Sequence, residues 1–214
     1  MAVIHKTTMQ PTKLELLATW LPTRPWYRGG EGTEPVLERA GGFRLDDPEG
    51  EVGIEFMVVT DASGEETHAY LVPLTYRGAP LEGAEGGLIG TSEHGVLGTR
   101  WVYDGTHDPV LLGELTALLE GRAVPQAQSL SDTPDPTVAV SFDGSGSWDR
   151  GAVPVVEDGA YGTDVRLGAA APVLRVARVL DAKAAGSRGE VTAGWRLPDG
   201  EERRGAYVLV FDAA

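Results

Sequence analysis

Apolar residues alternate with polar ones along most of this chain and adopt helical spacing in only two places. Val52, Ile54, Phe56 and Val58 alternate with Glu51, Gly53 and Glu55. Tyr70, Val72, Leu74 and Tyr76 share one side of a second run, and Phe43 and Leu45 belong to a third. Strand side chains point to opposite faces in turn, so a period of two predicts strands with one apolar face. These runs predict an antiparallel sheet covered on one side. The DASGEE segment between the Val52–Val58 and Tyr70–Tyr76 runs reads as a hairpin turn.

The helical spacings flank this sheet. Leu14, Leu17 and Leu21, with Ala18, line one face of a short first helix that Pro22 and Pro25 end. Asp108, Pro109, five leucines between 111 and 119, and Gly121 specify a second. An Asp N-cap accepts bonds from free amides, Pro at the first helical position wastes no donor, and Gly beyond the end allows a left-handed stop. This helix is the expected cover for the sheet.

Residues 122–137, RAVPQAQSLSDTPDPT, lose all apolar periodicity and have linker composition. The chain is therefore expected to divide into a domain over 1–122, a linker over 123–136 and a β-rich domain over 137–214. In the last, 137–142 and 173–180 form apolar runs. Val191, Ala193, Trp195 and Leu197 alternate, and a PDG turn at 198–200 leads to Tyr207–Phe211 as a hairpin. The Gly- and Asp-rich stretch 143–172 predicts loops around one short strand. The fold class is α+β, mainly antiparallel β.

Composition narrows the function classes. A 42% apolar content over 214 residues suffices for a core. No cysteine is present, so disulfides, thiolate chemistry and sulfur-bound zinc are excluded. With 32 acidic and 18 basic residues the net charge is −14, which repels nucleic acid and anionic membranes. The opening MAVIHKTTMQPTKLELL lacks a long apolar run and a cleavage signature, and no stretch approaches the ~20 apolar residues of a membrane span. A cytoplasmic protein without cofactor or metal is expected.

Three segments carry a family resemblance: LATWLPTRPWYRG (17–29), VPLTYRGAPLEG (72–83) and WVYDGTHDPVLLGELTALL (101–119). Together they resemble the N-terminal cap of actinobacterial maltokinases over roughly residues 3–122. The resemblance implies a cystatin-like cap, a curved antiparallel sheet with a covering helix. In the family this cap sits on the ATP-binding lobe of a kinase that makes maltose 1-phosphate for α-glucan synthesis. Standalone cap-like chains have also been labelled α-glucan branching proteins. The catalytic parts of the family have no counterpart here. None of His5, His68, His94 and His107 is followed by Asp two residues later, and no GxxxxGK(S/T) run occurs. A branching enzyme would need a barrel of ~250 residues. A non-catalytic module is expected, docking a protein partner or forming a homodimer, in the context of α-glucan or maltose metabolism.

Two constellations offer sites. His94, Trp101, Tyr103, Asp104 and His107 form a polar-aromatic group that suits a maltodextrin or glycogen ligand, with rings stacking on a pyranose and polar groups taking its hydroxyls. Equally, Trp101 and Tyr103 fit alternating strand positions. Trp20, Trp26, Tyr27 and Arg28 are residue types enriched at interface hot spots; they also suit pinning the first helix to the sheet. Asp46 and Asp47, in DDPEG, read as a turn. His94 and His107 match no metal-ligand spacing. An unrecognised small enzyme is the third class, and no nucleophile–base pair stands at a telling spacing.

Overall fold

The computed structural model describes residues 8–30, 32–142, 144, 148–160, 162–180 and 186–213. His5, Lys6, Lys183 and the centre of the GSGSWDRG segment lie outside the described residues. In chain order the elements are β1 (Met9–Gln10), α1 (Lys13–Trp20), β2 (Leu37–Asp46), β3 (Gly53–Asp61), β4 (His68–Arg77), β5 (Leu88–His94), β6 (Gly98–Asp104), α2 (Pro109–Leu119), β7 (Gln126–Ala127), β8 (Ala139–Phe142), β9 (Val155–Gly159), β10 (Gly162–Arg166), β11 (Val173–Val176), β12 (Gly189–Arg196) and β13 (Glu202–Phe211). The fold is α+β and mainly antiparallel β, with two short helices, as the periodicities predict.

All pairings between these strands are antiparallel, and they form one sheet in the order β1-β5-β6-β4-β3-β2-β12-β13-β11-β10-β9. β7 adds to β2 and β8 to β12. The residues after β11 then return to β4. Tyr70 pairs with Val179, the Leu71 amide donates to the Arg178 carbonyl (3.0 Å), and the Leu180 amide donates to the Ala69 carbonyl (3.0 Å). Because β3 already occupies one edge of β4 along its length, residues 178–180 take the other edge. The ladder β4-β3-β2-β12-β13-β11 thereby closes on itself.

The join between β2 and β12 is narrow, at Trp195 opposite Gly41. A Cβ on Gly41 would lie 3.0 Å from the Gly194 carbonyl oxygen across this join; on the β3 side, Gly42 has φ +125°, and a Cβ on it would lie 1.9 Å from the Phe56 carbonyl oxygen. No other residue adopts that backbone at so close an approach without strain.

One core fills the closed ladder. Phe43, Phe56, Leu71, Leu174, Val191 and Val208 belong to it, together with Leu111, Leu112, Leu115 and Leu118 of α2. Phe43 stacks on Phe56 with centroids 4.6 Å apart. The Asp108 carboxylate caps α2 by accepting from the Val110 amide (2.9 Å), and Gly121 stands at φ +70°. A second apolar cluster lies on the opposite face of β3 and β4. Met57, Val59, Tyr70 and Val72 there meet Leu17 and Trp20 of α1.

β3 is thus buried on both faces, which corrects the expectation of a sheet covered on one side. Met57 and Val59 interleave with Phe56 and Val58, so both of its faces are apolar. Two strands, β9 and β10, form within 143–172 where one was expected. The stretch over 123–136 contributes β7, whose Ala127 faces Phe43 and whose Gln126 faces Arg44.

Candidate functional site

The aromatic residues of the 20–28 segment are largely spent on packing. Trp20 and Trp26 are buried and meet edge to face at 5.8 Å, and Tyr27 lies 5.5 Å from Tyr70. The Tyr27 hydroxyl donates to Asp61 (2.6 Å), which also accepts from the Val36 and Ser63 amides. Burial, reinforced by the bond to the Asp61 carboxylate, pushes the Tyr27 phenol up to about 12. Arg28 has an exposed side chain, while its amide donates to the Tyr70 hydroxyl (2.9 Å).

The second group is dispersed. His94 sits at the tip of the β5–β6 hairpin, where its Nδ1 accepts from the Leu97 amide (3.1 Å). Trp101, half-buried, stands between Thr91 and Arg77 on the neighbouring strands. The Tyr103 ring is buried and its hydroxyl accepts from the Leu81 amide (2.9 Å). The side chain of His107 lies so close to Gly87 that a Cβ at 87 would be 2.6 Å from its own Cβ. Asp104, one residue from Tyr103, points to the opposite face of β6 and into the interior.

There Asp104 meets a residue that sequence reasoning missed. Arg178, fully buried, donates Nη2 to the Asp104 carboxylate and to the Thr106 hydroxyl (3.2 Å), and Nε to the Thr163 hydroxyl (2.7 Å). Its guanidinium lies over the Trp26 ring, 5.1 Å from the centroid. The Thr163 hydroxyl donates in turn to Asp158, which also accepts from Trp26 Nε1 (3.2 Å). The network joins β6, the 20–28 segment, β9, β10 and the closing residues 178–180. Trp26 and Asp104, drawn from different sequence groups, come together here. The signal available in the sequence was a pair of charges, Arg175 and Arg178, inside the apolar run Val173–Leu180; a charge must find a partner when buried.

A second buried carboxylate anchors α1. Glu55 accepts from Lys13 Nζ, from the Tyr76 hydroxyl (2.6 Å) and from Gln128 Nε2 (2.8 Å). Burial raises the Glu55 carboxyl, but the Lys13 charge and the bonds from Lys13 and Tyr76 outweigh it and hold the group below the usual carboxylate range. Burial and the adjacent Glu55 drive the Tyr76 phenol well up. At the far end of β4, Arg77 grips the Asp108 carboxylate with two bonds of 2.7 and 2.6 Å. Each of these charged groups bonds to neighbours from a different element, although Arg178 Nη1 is buried without a partner. That arrangement suits holding elements together rather than binding or turning over a substrate.

Comparison with protein families bears out the resemblance. Residues 20–108 match the maltokinase N-terminal cap domain, which is a cap and not a catalytic kinase domain. No curated protein matches the chain. No described helix is long and apolar enough to cross a membrane.

Proposed function

We propose, from the premise of a maltokinase N-terminal cap domain over residues 20–108, that this chain is a non-catalytic interaction module of α-glucan or maltose metabolism that docks a protein partner. The cap match is the observation that carries the reading. The β5–β6 hairpin is the place that suits docking best. It lies inside the matched segment, and its tip exposes Val96 (60%) and Leu97 (45%) side by side. An apolar pair on a hairpin tip is a natural anchor for a partner's pocket. A different protein is the favoured occupant, because two copies each carrying −14 repel. The aromatic faces of Trp20 and Trp26 are buried and add nothing to this surface. The carbohydrate reading draws less support, since the Tyr103 hydroxyl and the Asp104 carboxylate both have partners within the fold.

A photo-crosslinking residue at position 97, used in the cells that make the protein, tests the proposal. One dominant protein adduct is expected, lost on Val96→Asp and absent from a probe at position 153, which is more open (84% exposed) but remote in sequence from the cap. The same adducts at both positions would overturn the docking surface. Sedimentation showing a concentration-dependent dimer would replace the partner with a second copy.

A further inference from the structure

The outer face of the β12–β13 pair holds an open dent of about 440 Å³, walled by Ala40, Thr137, Gly194, Arg196, Glu202 and Arg204. Strand alternation makes it. Val191, Ala193 and Trp195 belong to the core, so Thr192, Gly194 and Arg196 point outward. Gly194 stands opposite Arg204 and Arg196 opposite Glu202. The missing side chain at Gly194 leaves a bare floor between two outward arginines.

These arginines differ in how they are held. Arg204 donates to the Thr192 hydroxyl (3.0 Å), the Thr192 carbonyl (3.3 Å) and the Thr137 carbonyl. All three acceptors are neutral, so the guanidinium is oriented while these bonds leave its charge uncompensated. Arg196 pairs with Glu202, with both side chains well exposed (65% and 76%). An exposed pair contributes ~0–1 kcal/mol, so a better acceptor displaces the carboxylate readily.

We propose that this dent binds a small soluble molecule through a phosphate-type oxyanion, with Arg204 and Arg196 as donors. Arg204 Nη1 and Nη2 rest on Thr137 and Thr192 and Arg196 Nη2 on Glu202, so an anion with several acceptor oxygens would take the N–H groups these bonds leave over and displace the Glu202 carboxylate. The volume lies within the range of small-molecule sites. The overall charge of −14 keeps large polyanions away, which restricts the ligand to a small one. Apart from Ala40, the wall residues lie outside the matched cap segment, so this site stands or falls independently of partner docking.

Calorimetry of the full chain with pyrophosphate, at constant ionic strength, tests it. One-to-one binding is expected, weakened ~tenfold or more by Arg204→Ala, less by Arg204→Lys, and unchanged by Arg166→Ala on the distant β10. Circular dichroism checks that each variant is folded. If Arg204→Ala does not fold, Arg196→Ala reads the same site. No heat up to about 10 mM pyrophosphate, or an equal loss in Arg166→Ala, would overturn the site. Acetate or citrate binding as tightly as pyrophosphate would overturn the phosphate assignment.

Discussion

Replacing Arg178 with Met should cost this protein much of its stability. The side chain is fully buried and its charge is matched by Asp104, which is itself buried. Methionine keeps most of the volume over Trp26 but leaves the Asp104 carboxylate with only the Thr106 amide (3.2 Å) and hydroxyl (2.9 Å). Breaking a buried pair by removing one partner typically costs ~3–5 kcal/mol. A domain has ~5–15 kcal/mol in total, so the variant should be folded but fragile. In urea, with a slope of ~2 kcal/mol per molar, the midpoint should fall by ~2 M. Adding Asp104→Leu removes the stranded charge and should recover part of the loss. The network also joins the matched segment 20–108 to residues 158–180, so tryptophan fluorescence and far-ultraviolet circular dichroism should report one transition. A loss under ~0.5 kcal/mol, as for an ordinary surface change, would refute the argument that this network locks the closed ladder. Two separate transitions in the wild type would refute it as well.

Two further outcomes can be measured on the same scale. Glu55 has its folded pKa depressed by Lys13 and Tyr76 against burial. Its contribution is therefore present above the unfolded value of ~4.3 and is lost as pH falls through the lower folded value. The urea midpoints of wild type and Glu55→Gln should differ at pH 7 and converge toward pH 3; a gap that stays constant would contradict the depressed pKa. At the start of α1, the Thr12 hydroxyl accepts from the Glu15 amide while the Thr12 amide donates to Glu15 Oε2 (2.6 Å). Thr12→Ala should lower stability by ~1 kcal/mol in the same urea assay, and no change would show that the helix is held by Lys13–Glu55 alone.

Much of the architecture is a local property of the chain. The cap of α2 follows from Asp108, Pro109 and Gly121, because a helix end is satisfied by residues within one turn of it. The β12–β13 hairpin follows from its alternation and its PDG turn. The motifs at 17–29, 72–83 and 101–119 were enough to point to the resemblance, since they lie in or beside residues 20–108, which match the cap family. What adjacency in sequence cannot reveal is which strand edges meet. The return of residues 178–180 to β4, and with it the closure of the ladder, joins positions more than 100 apart in the chain. The fate of the candidate site residues follows from that closure. Asp104 and Trp26 acquire Arg178 and Asp158 as neighbours only because the closed ladder brings them there. Alternation tells which face of a strand a side chain occupies, but the tertiary fold decides whether that face meets water, a core or an opposite charge.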